Sequence, residues 1–105
     1  MSLDFELIFE RKVHDSNITH NLNVMAGEAG IYDCLWRPEE NGYYRAEDII
    51  EPLREGLRKL KDDPEYFKQF NSPNGWGTYE YFVPFVEEIL ESCIIFPEAK
   101  IVTSI

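Results

Sequence analysis

No apolar run in this chain approaches the ~20 residues that cross a bilayer as a helix. Internal repeats, low-complexity tracts and linker-like stretches are also missing, which excludes solenoid and tail architectures. Cysteine is scarce, with Cys34 and Cys93 the only two. Both lie in apolar helical contexts. The first residues show no basic region followed by an apolar one. The expectation is a cytoplasmic chain with reduced, buried thiols rather than a disulfide.

Histidine is equally rare. His14 and His20, with the two cysteines, lack the close paired spacing of structural zinc sites. No metal or cofactor is expected. There is no Gly-x-Ser-x-Gly elbow, and Ser16, Ser72, Ser92 and Ser104 have no obvious base partner, so nucleophilic catalysis has no signature here. Basic residues are few: ten against twenty acidic, for a net charge of −10. Such a chain cannot neutralise phosphates, which argues against direct nucleic-acid binding, and an anionic membrane would repel it. A basic protein partner would be attracted.

Aromatic residues, by contrast, are plentiful. Seven Phe, six Tyr and two Trp in 105 residues exceed what a single small core needs, so some must line a surface or a pocket. The whole chain, 1–105, reads as one domain.

Leu3, Phe5, Leu7 and Phe9 alternate with Asp4, Glu6 and Glu10, which predicts a half-buried strand over Leu3 to Val13. Ile8 breaks the outer pattern. His14 to Ile18 reads as a polar turn. Thr19 is placed to cap a helix that ends at Gly30, and a short apolar continuation runs to Trp36 before Pro38. A longer helix is expected from about Ala46 to Lys61, with Pro52 beginning or kinking it. Asp63-Pro64 opens a short helix. Thr78 is placed to cap the last helix, which runs to about Phe96, and Lys100 to Ile105 forms a closing strand. The fold class is therefore α+β: a small sheet of two terminal strands with three to four helices on one face. Two strands are marginal alone, so a third, such as the edge of a homodimer partner, is expected to extend the sheet.

Three clusters combine aromatic and polar side chains. Ile18-Thr19-His20-Asn21-Leu22 comes first, then Leu35-Trp36-Arg37-Pro38-Glu39-Glu40. The third, Asn74-Gly75-Trp76-Gly77-Thr78-Tyr79-Glu80, flanks an indole with two glycines. The candidate binding residues are His20, Asn21, Trp36, Arg37, Asn74, Trp76, Tyr79 and Glu80. The sharp reading folds these remote segments around one exposed hollow, with the indoles as walls and His20, Asn21, Arg37 and Asn74 as polar contacts. The bland reading is structural: Trp36 caps the core, Trp76 plugs it, and Arg37 pairs with a nearby acid.

The same three segments resemble those of a family of small uncharacterised bacterial and phage proteins, over roughly Asn17 to Val102. That family has no established activity, so no catalytic residue is implied. The resemblance implies that the three clusters belong to one shared feature.

Three functional readings follow. One is a non-enzymatic module that binds a protein or a small ligand through the aromatic loops, in a phage or bacterial accessory role. The second is a structural or oligomerisation unit whose clusters only stabilise the fold. The third is a small enzyme using His20 with Glu39, Glu40 or Glu80 as acid and base.

Overall fold

The computed structural model describes residues 2–105. The period-two alternation at the start of the chain forms strand β1 (Ser2–Phe9), and it buries Leu3, Phe5 and Leu7 completely. The strand does not continue to Val13. Glu10 adopts φ 64°, in the left-handed region, and the chain reverses there into β2 (Arg11–Thr19). The two strands pair antiparallel from Ser2 opposite Thr19 to Phe9 opposite Arg11. A register shift falls between Leu7 and Ile8, where the outer alternation breaks.

The last strand, β3 (Lys100–Ser104), pairs antiparallel with the other side of β1, from Asp4 opposite Ser104 to Ile8 opposite Lys100. The terminal strands thus lie side by side as expected, but the sheet has three strands in the order β2-β1-β3. The third strand comes from this chain, so no partner's edge is required to supply it. His14 to Ile18, expected as a turn, is the body of β2. Its mixed polar composition follows from its position: β2 is an edge strand, with Ile18 its one buried residue.

Among the described residues there are five α-helices, rather than three or four. They are α1 (Asn23–Glu28), α2 (Tyr32–Trp36), α3 (Ala46–Asp62), α4 (Pro64–Lys68) and α5 (Tyr79–Ile95). A short 3-10 turn at His20–Leu22 leads from β2 into α1, and another at Glu39–Asn41 lies between α2 and α3. Ile49, Leu53 and Leu60 of α3 meet Phe82, Val86 and Ile89 of α5 in the core under β1.

Helix α3 begins well before Pro52 and continues through it. The Asp48 carboxylate holds its start, accepting the backbone N–H groups of Tyr44 and Arg45 at 3.0 and 2.9 Å. Asp63 caps α4 by accepting the N–H of Tyr66, and Thr19 accepts that of Asn21. Thr78 makes no cap bond. The start of α5 is capped from the preceding loop, where Asn71 Oδ1 accepts the N–H of Tyr79 at 2.7 Å. Cys34 and Cys93 are free, and burial pushes each thiol up to about 12, so both are protonated packing groups. Among the described residues, no helix is long and apolar enough to cross a membrane.

Gly56 lies where α3 crosses the link between α1 and α2. A Cβ there would collide with Cγ2 of Ile31 and sit 3.2 Å from the Ala29 carbonyl oxygen. Gly27, also helical, has nothing within 4 Å. Alanine at both positions therefore tests packing against propensity. Gly27→Ala should stabilise by about 0.5–1 kcal/mol. Gly56→Ala should destabilise by roughly 1–3 kcal/mol, because overpacking outweighs the helical gain. Chemical denaturation of both variants checks the pair, and a gain at Gly56 would mean the crossing has slack.

Candidate functional site

The three clusters meet at the 3-10 turn His20–Leu22, but they do not share one hollow. His20 reaches inward. The Trp36 indole N–H donates to His20 Nδ1 at 3.1 Å, and the two rings meet edge-on at 6.3 Å between centroids. The indole is also stacked on Tyr32, 5.6 Å away and nearly coplanar, and Trp36 is buried. An indole nitrogen can only donate, so Nδ1 must be the accepting nitrogen and Nε2 carries the proton of the neutral ring. The Asn23 amide, 3.3 Å from Nε2, must then turn its oxygen to that proton. Both ring nitrogens are occupied in this way, by an indole and an amide. Glu39, Glu40 and Glu80, the expected acid–base partners, are not among His20's contacts.

Arg37 lies on the other side of Trp36. Its guanidinium is 3.4 Å from Glu40, both exposed, in the kind of surface pair that contributes little to stability. Asn41 donates to the Arg37 carbonyl at 2.8 Å, and Tyr43 to that of Pro38 at 2.9 Å, so this segment is a closed turn. Trp36 and Arg37 line a shallow hollow of about 530 Å³ with Tyr44 and Ile105.

Trp76 and its loop line a different and larger groove, of about 1090 Å³. The indole is 71% exposed, so it does not plug the core. Its backbone, however, is held on both sides. Asn21 Nδ2 donates to the Trp76 carbonyl at 3.0 Å, and the Trp76 N–H donates to Asn74 Oδ1 at 2.9 Å. The Ser72 hydroxyl donates to the same Asn74 oxygen, and the Ser72 N–H closes the loop on the Gly77 carbonyl at 2.9 Å. Gly77 is required there. Its φ is 109°, and a Cβ would lie 2.9 Å from Cγ2 of Thr19.

The groove's other walls lie largely outside the three clusters. Ser16 to Thr19 of β2 form one side, and Tyr81, Pro84, Phe85 and Glu88 of α5 form the other. These four recur at the i, i+3, i+4, i+7 spacing of one helical face, which borders the core face at Phe82, Val86 and Ile89 through the buried Phe85. That second stripe is visible in the sequence once α5 is in place. Tyr81 is 70% exposed, and its ring adds to the Trp76 surface.

Of the eight candidate residues, Asn21, Asn74 and Trp76 line this groove and Trp36 and Arg37 line the smaller hollow. Tyr79 is half-buried. Its hydroxyl donates to the Leu60 carbonyl at 2.8 Å, and Lys68 Nζ sits 5.6 Å from its ring centre, so it ties α5 to the end of α3. Glu80 is an exposed residue of the first turn of α5, where a carboxylate suits the positive end of the helix dipole.

His14 closes the far end of the β2–α5 contact. Its ring is bonded on both sides, to Ser92 Oγ at 2.9 Å and to Ser16 Oγ at 2.8 Å, and it meets Phe5 edge-on. Burial lowers its pKa, against the opposing pull of Glu88 and Asp15.

No protein-family model matches this chain, and no curated protein or solved structure matches it either.

Two outcomes follow from the histidines. His20→Ala leaves the Trp36 N–H buried without an acceptor and should cost about 1–3 kcal/mol in denaturation, part of which His20→Gln recovers with its amide oxygen. His14 has a folded pKa below its unfolded value, so its contribution is complete above pH ~6.5 and is lost as pH falls through the lower folded value. The melting temperature should therefore drop more steeply from pH 7 to pH 5 in the wild type than in His14→Gln. Parallel curves would show that the imidazole is not protected by the fold.

Proposed function

We propose that the protein is a non-enzymatic binding module that docks a protein partner in the groove between β2, α5 and the Trp76 loop. One observation carries the reading: a tryptophan mostly in solvent stands on a loop held by four hydrogen bonds, three of them to its backbone. An exposed indole gains nothing for the fold. Holding its platform rigid lowers the entropy lost on contact, which favours recognition. Trp and Tyr dominate interface energetics because they offer large contact area with few rotatable bonds. Trp76 and Tyr81 supply that area here, and Asn17, Thr19, Asn21 and Asn74 supply a polar rim.

A small-ligand site is the weaker variant of the same reading, since the groove is open and its aromatic rings face solvent. A structural role describes Trp36 better than Trp76, because Trp36 is stacked, hydrogen-bonded and buried. The net charge of −10 favours a partner with basic character over a nucleic acid. A phage or bacterial accessory role suits the chain's size and acidity.

Trp76→Ala should leave stability within about ±0.5 kcal/mol, the usual range for an exposed position, while partner capture in a pull-down is lost. Trp36→Ala should do the reverse and lower stability by roughly 3–5 kcal/mol. A Trp76 variant that unfolds, or that captures every partner of the wild type, would remove the groove from the proposal.

A further inference from the structure

The groove runs beside an open sheet edge. Strand β2 pairs with β1 on one side and has no strand on the other. Among the described residues, no main-chain hydrogen bond reaches that outer edge. Helix α5 meets β2 where Ser92 bonds His14, and the groove lies between Tyr81–Glu88 of the helix and Ser16–Thr19 of the strand. Residues of an unpaired strand edge thus form one side of the trough, and Tyr81, Pro84, Phe85 and Glu88 the other. An extended segment can satisfy both at once, bonding the strand with its main chain and placing alternate side chains on the helix.

The groove's electrostatics select the side chain. Among the described residues, Glu88 is the only charged one in the lining, and no Lys, Arg or His lines it. Glu88 takes part in none of the ion pairs formed among the described residues. The exposed rings of Trp76 and Tyr81 line the same groove, Tyr81 two helical turns before Glu88, and the whole chain carries −10. Guanidinium and ammonium groups suit such a surface, resting on a ring or meeting the carboxylate.

We infer that the occupant is an extended peptide segment bearing arginine or lysine, added as a fourth strand along the outer edge of β2 with its cationic side chains on the Trp76 and Tyr81 rings and on Glu88. This inference rests on the groove reading above and specifies its partner.

The test uses a displayed library of random decapeptides, selected on the full chain and counter-selected on Trp76→Ala. Enriched peptides should be rich in Arg or Lys and poor in Asp and Glu. A synthetic peptide from the leading clone should lose at least tenfold in affinity when alternate backbone nitrogens are methylated, and at least tenfold against Glu88→Lys. Its amide shift changes in NMR should fall on Ser16 to Thr19. Trp76-dependent binders without a cationic preference, or binders indifferent to N-methylation, would overturn this inference and leave the groove as a docking surface. Failure to enrich any Trp76-dependent peptide would remove both.

Discussion

The turn from Thr19 to Leu22 has to satisfy three neighbours at once. Leu22 is buried in the core, His20 accepts the indole N–H of Trp36 under the first helices, and Asn21 holds the carbonyl of Trp76. The Thr19 methyl group lies where any side chain at position 77 would have to go. This contact fixes the distance between the sheet's end and the loop before α5. A residue pushed out of line here would shift the buried indole and the exposed one together.

The groove follows from that constraint and from the hairpin. Because the chain reverses at Glu10, β2 becomes an edge, and α5 can pack against it through Ser92 and His14 without covering its outer side. The glycine-shaped loop then closes the trough at the end remote from His14. Two tryptophans that look alike in the sequence acquire opposite roles, one completing the core and the other facing outward.

Much of this was legible from the residues. The alternation of Leu3, Phe5 and Leu7, the stripe through Ile49, Leu53 and Leu60, and the Asp63-Pro64 cap all express local rules, and the structure carries them. The reversal at Glu10 was hidden because nothing local announces it: glutamate rarely adopts positive φ, and neither glycine nor asparagine marks the turn. β2 was hidden because an edge strand solvated along one side has no strong reason to alternate. The cap on α5 was misassigned for a related reason. Thr78 is adjacent in sequence, but Asn71 reaches across the loop, and such distant caps leave no local pattern. The convergence of segments at Thr19 was partly readable, yet which indole would face outward depended on a hydrogen bond between residues sixteen apart in the chain.

The contrast between the two indoles also has a spectroscopic consequence. Trp36 lies in a low-dielectric enclosure against an imidazole and a phenol, whereas Trp76 is bathed in water. Their emission bands should therefore separate, the first bluer and shielded from soluble quenchers, the second redder and open to them. The chain thus carries two intrinsic fluorophores, one sensing the integrity of the interior and the other sensing whatever settles on the surface.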